Sequence, residues 1–123
     1  MEHKQLLTVF NSLPVGIGFF TADGTLVRCN ESFCRIFGAD SQTLLGNKLN
    51  INENSVVPDV VKEAVRRCVP VQMSFLYDFD KQRTDKRFFS TRTRTCYLKC
   101  NGNPLYDIDG KFVNYIFIFE DIT

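Results

Sequence analysis

A chain of 123 residues, 44% hydrophobic and 24% charged, has the make-up of one ordinary globular domain. With 15 basic and 14 acidic side chains its net charge is +1, which provides no field calling for nucleic acid or an anionic membrane as partner. Twelve Phe, four Tyr and no Trp predict a core built mainly from phenylalanine, and five irregularly spaced cysteines fit reduced thiols in a cytoplasmic setting better than a disulfide framework.

Residues 1–13 read as an amphipathic helix. Leu6, Leu7, Val9, Phe10 and Leu13 recur at helical spacing, and Pro14 stops the run. The segment is too polar for a signal peptide or a membrane span, so direct membrane contact is not expected. Val15 to Phe20 is apolar and β-prone, Asp23-Gly24 marks a hairpin turn, and Leu26 to Cys29 is the returning strand. Asn30 is placed to cap a short helix that buries Phe33, Ile36 and Phe37 and ends at Gly38. Asp40 or Ser41 caps a second, with Leu44 and Leu45 inward and Gly46 closing it. Asn47 to Asn54 is polar and loop-like.

Val57, Val60, Val61, Ala64, Val65 and Cys68 then repeat at three and four residues, a long amphipathic helix with Pro58 in its first turn. After Pro70, Val71, Met73, Phe75, Tyr77 and Phe79 alternate, which predicts a strand through Asp78. Asp80 to Lys86 reads as a charged hairpin loop, Phe88 to Asn101 as a β-prone strand segment, and Asn103-Pro104 and Asp109-Gly110 as the two ends of a turn region. Phe112 to Phe119 is the last strand, apolar on nearly every residue. The expected fold class is α+β: a five-stranded antiparallel sheet with helices packed on one face, plus the N-terminal helix.

No catalytic set emerges. The one histidine, His3, lies near the terminus, so a His-based triad has no base. Cys96 and Cys100 share a strand face but stand about 13 Å apart, too far for one metal or a disulfide, and Cys68 is expected to face the core. Gly16, Gly18 and Gly24 are not followed by the Lys-Ser/Thr of a phosphate loop. Lys81, Arg83, Lys86, Arg87, Arg92 and Arg94 are interleaved with Asp78, Asp80 and Asp85, which reads as a solvated hairpin face rather than a nucleic-acid surface.

Taken in succession, Leu13-Pro14-Val15-Gly16-Ile17, Asp23-Gly24, Asn30 to Gly38, Leu45-Gly46, Asn101 to Gly110 and the closing Asp121-Ile122-Thr123 resemble a PAS domain across residues 14–123. The resemblance implies a sheet cupping a central cavity. It also implies a sensory input module of a bacterial signalling protein, such as a histidine kinase or a diguanylate cyclase (GGDEF) protein. Asp121, Ile122 and Thr123 would then relay the signal to a downstream output domain in the same parent chain, and any catalysis would belong to that domain.

The same resemblance sorts cofactors. Photoactive flavin members carry a reactive Cys after the second short helix, where this chain has Gly46-Asn47-Lys48-Leu49. Haem members commonly take an axial His from the long helix; Asn54 to Arg67 has none, leaving only Cys68 as a thiolate. Flavin redox sensors often involve a Trp, which is absent here, and an Fe–S cluster needs about four converging thiolates. The choice narrows to a small organic ligand or no ligand. Alternation and the implied topology assign its lining to Val57, Val61 and Val65, to Met73, Phe75 and Tyr77, and to Ile116 and Ile118, with Phe19 and Phe37 contributing. Tyr77, Thr91 and Asn114 would orient it, and plain core packing is the competing reading.

In the last strand Tyr115, Phe117 and Phe119 alternate with Ile116 and Ile118, so both faces are apolar. An antiparallel sheet usually wets one face, so something must cover the outer one. The first helix, with Leu6, Leu7 and Phe10, is the obvious cover, from the same chain or from a second copy, and the expectation is a homodimer through that helix and Tyr115, Phe117 and Phe119.

Overall fold

A computed structural model describes residues 3–85 and 90–123. The elements run α1 (His3–Ser12), β1 (Gly16–Phe20), β2 (Leu26–Cys29), α2 (Glu31–Phe37), α3 (Ser41–Gly46), a single 3-10 turn (Ile51–Glu53), α4 (Asp59–Arg67), β3 (Val71–Asp78), α5 (Phe79–Gln82), a second 3-10 turn (Arg83–Asp85), β4 (Thr95–Tyr106) and β5 (Phe112–Asp121). The five strands form one antiparallel sheet in the order β2-β1-β5-β4-β3. The last strand therefore sits at the centre of the sheet, between β1 and β4. The α+β class is as expected, and the described part of α1 lies within residues 1–13.

Local signals decide the first half. Asn30 caps α2 by accepting from the Phe33 amide at 3.0 Å, and Gly38 closes it in the left-handed conformation. Asp40 caps α3 through the Thr43 amide at 2.7 Å. Four expectations need correction. Pro58 occupies the cap of α4 rather than its first turn. Cys68 ends that helix at φ 57°, which carries its side chain off the core-facing stripe towards the Tyr106 hydroxyl. Asp80 to Asp85 is not a plain loop: Asp78 accepts from the amides of Asp80 and Lys81 at 3.0 and 3.1 Å and so starts α5. Asn103-Pro104 is not a turn but part of β4. Pairing with β3 stops at Gly102, so beyond it β4 bonds only to β5, and the missing Pro104 N–H falls where no ladder bond is needed. The expected start of β4 at Phe88 lies outside the described residues; Ser90 to Arg94 is irregular, and the strand begins at Thr95.

The largest correction concerns β5. Tyr115, Phe117 and Phe119 are buried at 0%, 0% and 3% exposure, and they face the helices. Ile116 and Ile118 point to the outer face, where Ile118 is 36% exposed. The neighbouring strands dictate this. Phe117 pairs with Gly18 on one side and Gly102 on the other. A Cβ on Gly102 would stand 2.6 Å from Phe117 Cε1 and 2.8 Å from Tyr115 Cε1, so the absent side chain is the space the rings occupy. Gly102→Ala is expected to cost about 1–3 kcal/mol through overpacking, read as a lower urea midpoint with an unchanged slope.

Candidate functional site: a cavity beside the last strand

Between the sheet and the helical side lies a cavity of about 30 Å³. β1 contributes Phe20, β3 contributes Phe75 and Tyr77, β5 contributes Phe119, and α2 contributes Phe33 and Phe37. The rim is the segment from Leu49 to Val57, through Leu49, Asn50, Ile51, Asn54 and Val57. A buried water needs about 10–15 Å³ of such free space. In this packing the cavity holds a molecule of water or diatomic size, and anything larger requires ring displacement.

The walls are mostly aromatic. Phe33 and Phe37 have centroids 4.6 Å apart, and Phe37 meets Phe119 and Tyr77 edge-on, each at 5.3 Å. The polar feature is a fixed pair. Asn54 Nδ2 donates to the Tyr77 hydroxyl at 2.8 Å, while Asn54 Oδ1 accepts from the Val56 amide at 3.0 Å. One end of an otherwise apolar chamber thus carries an amide and a phenol, an arrangement suited to a small apolar molecule with one hydrogen-bonding group.

Of the residues expected to line a ligand site, Phe37, Val57, Phe75 and Tyr77 border this cavity. Val61 and Val65 are core residues at 0% and 3% exposure, outside the lining, and Met73 packs inward at the margin of the core. Phe19, Asn114, Ile116 and Ile118 belong to the other face of the sheet. Phe19 stacks near Phe10 at 5.9 Å, and Asn114 Nδ2 donates to the Phe20 carbonyl. Thr91 is exposed, with its amide bonded to the Gly38 carbonyl at 2.7 Å. Phe20, Phe33, Leu49, Asn50, Ile51, Asn54 and Phe119 were missed. Phe119 fell to the face error on β5, and Leu49 to Asn54 to the absence of any period in that segment.

The end of β5 is latched from outside the cavity. Arg92 Nη1 donates to Asp121 Oδ2 at 3.0 Å and to the Ile36 carbonyl of α2 at 2.9 Å, and its guanidinium lies 4.8 Å over the Phe79 ring. Asp121 Oδ1 accepts from the Thr123 hydroxyl at 2.6 Å and the Thr123 amide at 3.1 Å. Thr123 Oγ1 accepts from the Tyr97 amide at 2.9 Å, and the Ile122 amide donates to the Tyr97 carbonyl at 2.9 Å. Partial burial alone would raise the Asp121 carboxyl. The hydrogen bonds from Thr123 and Arg92 outweigh that and hold it below its ordinary value. Cys96 and Cys100 are buried at 1% and 0%, and burial pushes their thiols up to about 11 and about 12. Among the described residues no three His, Cys, Asp or Glu side chains converge as a metal site, and no helix is long and apolar enough to cross a membrane.

A family model described as PAS fold matches residues 10–123. No curated protein matches the chain. Among solved structures, an RNA-binding light-oxygen-voltage receptor superposes with a TM-score of 0.74 at 19% identity; the match covers 98% of this chain but 33% of the receptor chain. A PAS domain from Colwellia psychrerythraea gives 0.71 at 16% identity, covering 98% of this chain and 96% of the other. A PAS domain from a two-component sensor histidine kinase gives 0.67 at 14% identity, covering 96% and 94%. At these identities the structures establish likeness of fold.

Proposed function

The chain belongs to the PAS fold family, and from that premise we propose that it is the sensory input module of a bacterial, cytoplasmic signalling protein whose output domain follows Thr123. The observation that carries this reading is a shared wall. Phe119 lines the cavity, and Asp121, two residues further along the same strand, is the latched end. A second route of contacts runs from Phe37 to Tyr77 at 5.3 Å, Tyr77 to Phe79 at 4.9 Å, and Phe79 to Arg92. A small organic ligand that displaces Phe37 or Tyr77 would bias the latch, and the bias equals its differential affinity for the two arrangements. The histidine kinase relative suggests a parent of the same kind; a diguanylate cyclase parent would use the same exit.

Native mass spectrometry of the purified chain tests this directly. The expected result is a bound small molecule released by acid, and its loss in Val57→Phe, which fills the rim. Adding that molecule back at a hundredfold excess over its Kd should stabilise the wild type by about 2.7 kcal/mol. No retained mass, together with no stabilisation by a metabolite panel, would refute the ligand.

The homodimer is proposed on a different observation. The outer face exposes Leu76, Tyr97 and Ile118 at 56%, 44% and 36%, and α1 exposes Leu6 and Leu7 beside it at 54% and 40%. The interface then uses these residues, while Phe10 packs on Phe19 within the chain and Tyr115, Phe117 and Phe119 stay in the core. Sedimentation should show a dimer that Leu76→Lys weakens at least tenfold; a wild-type monomer at high concentration would end the idea.

A further inference from the structure

Cys29 ends β2 and Cys34 lies within α2, separated by the Asn30 cap and the first turn of the helix. Their sulfurs are 3.9 Å apart. A disulfide needs about 2.05 Å, so the gap to close is roughly 2 Å. Both residues are half-buried and within reach of solvent, whereas Cys96 and Cys100 are sealed in the core and Cys68 stands at the end of α4 beside Tyr106. The chain thus places one adjacent, reachable pair of thiols on elements that border the cavity and the latch, while neither sulfur lines the cavity or bonds to the latch.

The two thiols are unequal. Burial, and then the neighbouring Cys34 charge, push Cys29 up to about 12. Burial also raises Cys34, and Asp40 and Glu31 add to it, while the Cys29 hydrogen bond and Arg35 oppose it. Cys34 is therefore the first of the pair to ionise, with Cys29 as its S–H donor. Neither is a ready thiolate at neutral pH, so the pair is a poor fast peroxide scavenger. Its advantage is proximity: once one sulfur is activated, the other is already in contact with it.

We propose that Cys29 and Cys34 form a redox modification site that reacts with a small disulfide of the glutathione class and closes to an intramolecular disulfide. The Cys34 thiolate attacks one sulfur of the small disulfide, whose S–S bond breaks and releases the first small thiol. Cys29 then gives up its proton and attacks Cys34 Sγ, and the mixed disulfide breaks and releases the second small thiol. Two protein thiols lose two electrons and two protons; the small disulfide gains them as two thiols. Closing the gap draws the middle of α2 towards β2. The same helix carries Phe33 and Phe37 into the cavity and presents the Ile36 carbonyl to Arg92, so oxidation shifts both.

The test is incubation of the folded chain with excess oxidised glutathione at mildly alkaline pH, without oxygen, followed by acid quench and peptide mapping. The expected product has lost two hydrogens, maps to Cys29–Cys34, reverts with dithiothreitol, and leaves Cys96 and Cys100 free. Cys29→Ser should stop at a stable mixed disulfide on Cys34. Glutathione adducts accumulating on the wild type without loss of two hydrogens, a link mapping to another pair, or a wholly unmodified wild type would each overturn the proposal. The wild-type map decides even if the variant does not fold.

Discussion

Asn30→Ala is expected to lower the stability of the domain by about 3–5 kcal/mol, a large part of the ~5–15 kcal/mol that holds a domain of this size folded. Asn30 is 1% exposed and uses every hydrogen-bonding position of its side chain. Oδ1 accepts from the amides of Ile17 at 2.9 Å and Phe33 at 3.0 Å; Nδ2 donates to the carbonyls of Phe10 and Val15, each at 3.0 Å. One amide thus joins the end of α1, the link after it, β1 and the start of α2. Alanine removes a helix cap worth about 1 kcal/mol and frees two donors and two acceptors; water entering the space the amide leaves satisfies part of them, and one or two groups left dry at about 1–3 kcal/mol each make up the rest. Asn30→Asp separates the halves of the effect. It keeps the acceptor for Ile17 and Phe33 but turns an oxygen towards two carbonyls, so it should remain well below wild type. Urea unfolding of the three proteins checks the order, wild type above both variants. An alanine variant within about 0.5 kcal/mol of wild type would mean that water replaces the amide, and that these four contacts do not hold the segments together.

The success of Asn30 as a sequence signal, and the failure at β5, have one physical cause. A cap, a turn or a helix stop is decided within a few residues, so Asn30, Asp23-Gly24, Gly38 and Asp40 carry their own evidence. Alternation along β5 was equally plain, but it is symmetric: it says that two faces exist and not which one is inside. The choice is made by Gly18 and Gly102 on neighbouring strands, 99 and 15 residues from Phe117 in sequence. The cavity rim was illegible for a related reason. Leu49 and Ile51 have no period; they are held inward because the Leu26 amide bonds the Leu49 carbonyl at 2.7 Å and the Ile51 amide bonds the Gly24 carbonyl at 2.9 Å. In the sequence Arg92 is one of a run of interleaved charges that reads as a wet face. Its side chain is 31% exposed and lies against Phe79, Ile36 and Asp121, and these contacts depend on where an irregular segment crosses the sheet.

The second large effect is expected at that arginine. Arg92→Ala should cost about 2 kcal/mol, and Asp121→Ala about 1 kcal/mol, with a coupling of at most about 1 kcal/mol in a double-mutant cycle because the pair is partly open to solvent. Arginine loses more since it also leaves the Ile36 carbonyl and the Phe79 ring. The pH dependence has a definite sign. The folded Asp121 carboxyl is held below its ordinary value, so its contribution is present above the unfolded value of about 3.9 and disappears as pH falls through the folded one. The latch is therefore intact at neutral pH and loosens only in acid, and Arg92→Ala should shrink that acid limb in part, the Thr123 hydrogen bonds keeping the rest. Hydrogen exchange gives the local readout. The Ile122 and Tyr97 amides, bonded to the Tyr97 carbonyl and Thr123 Oγ1, should exchange roughly tenfold faster in Arg92→Ala. Amides in the middle of β1 should change only as far as global stability does. If the Ile122 and Tyr97 amides keep their wild-type rates relative to β1, Arg92 does not hold the end of β5, and the route proposed from the cavity to Thr123 would have to run along the strand from Phe119 alone.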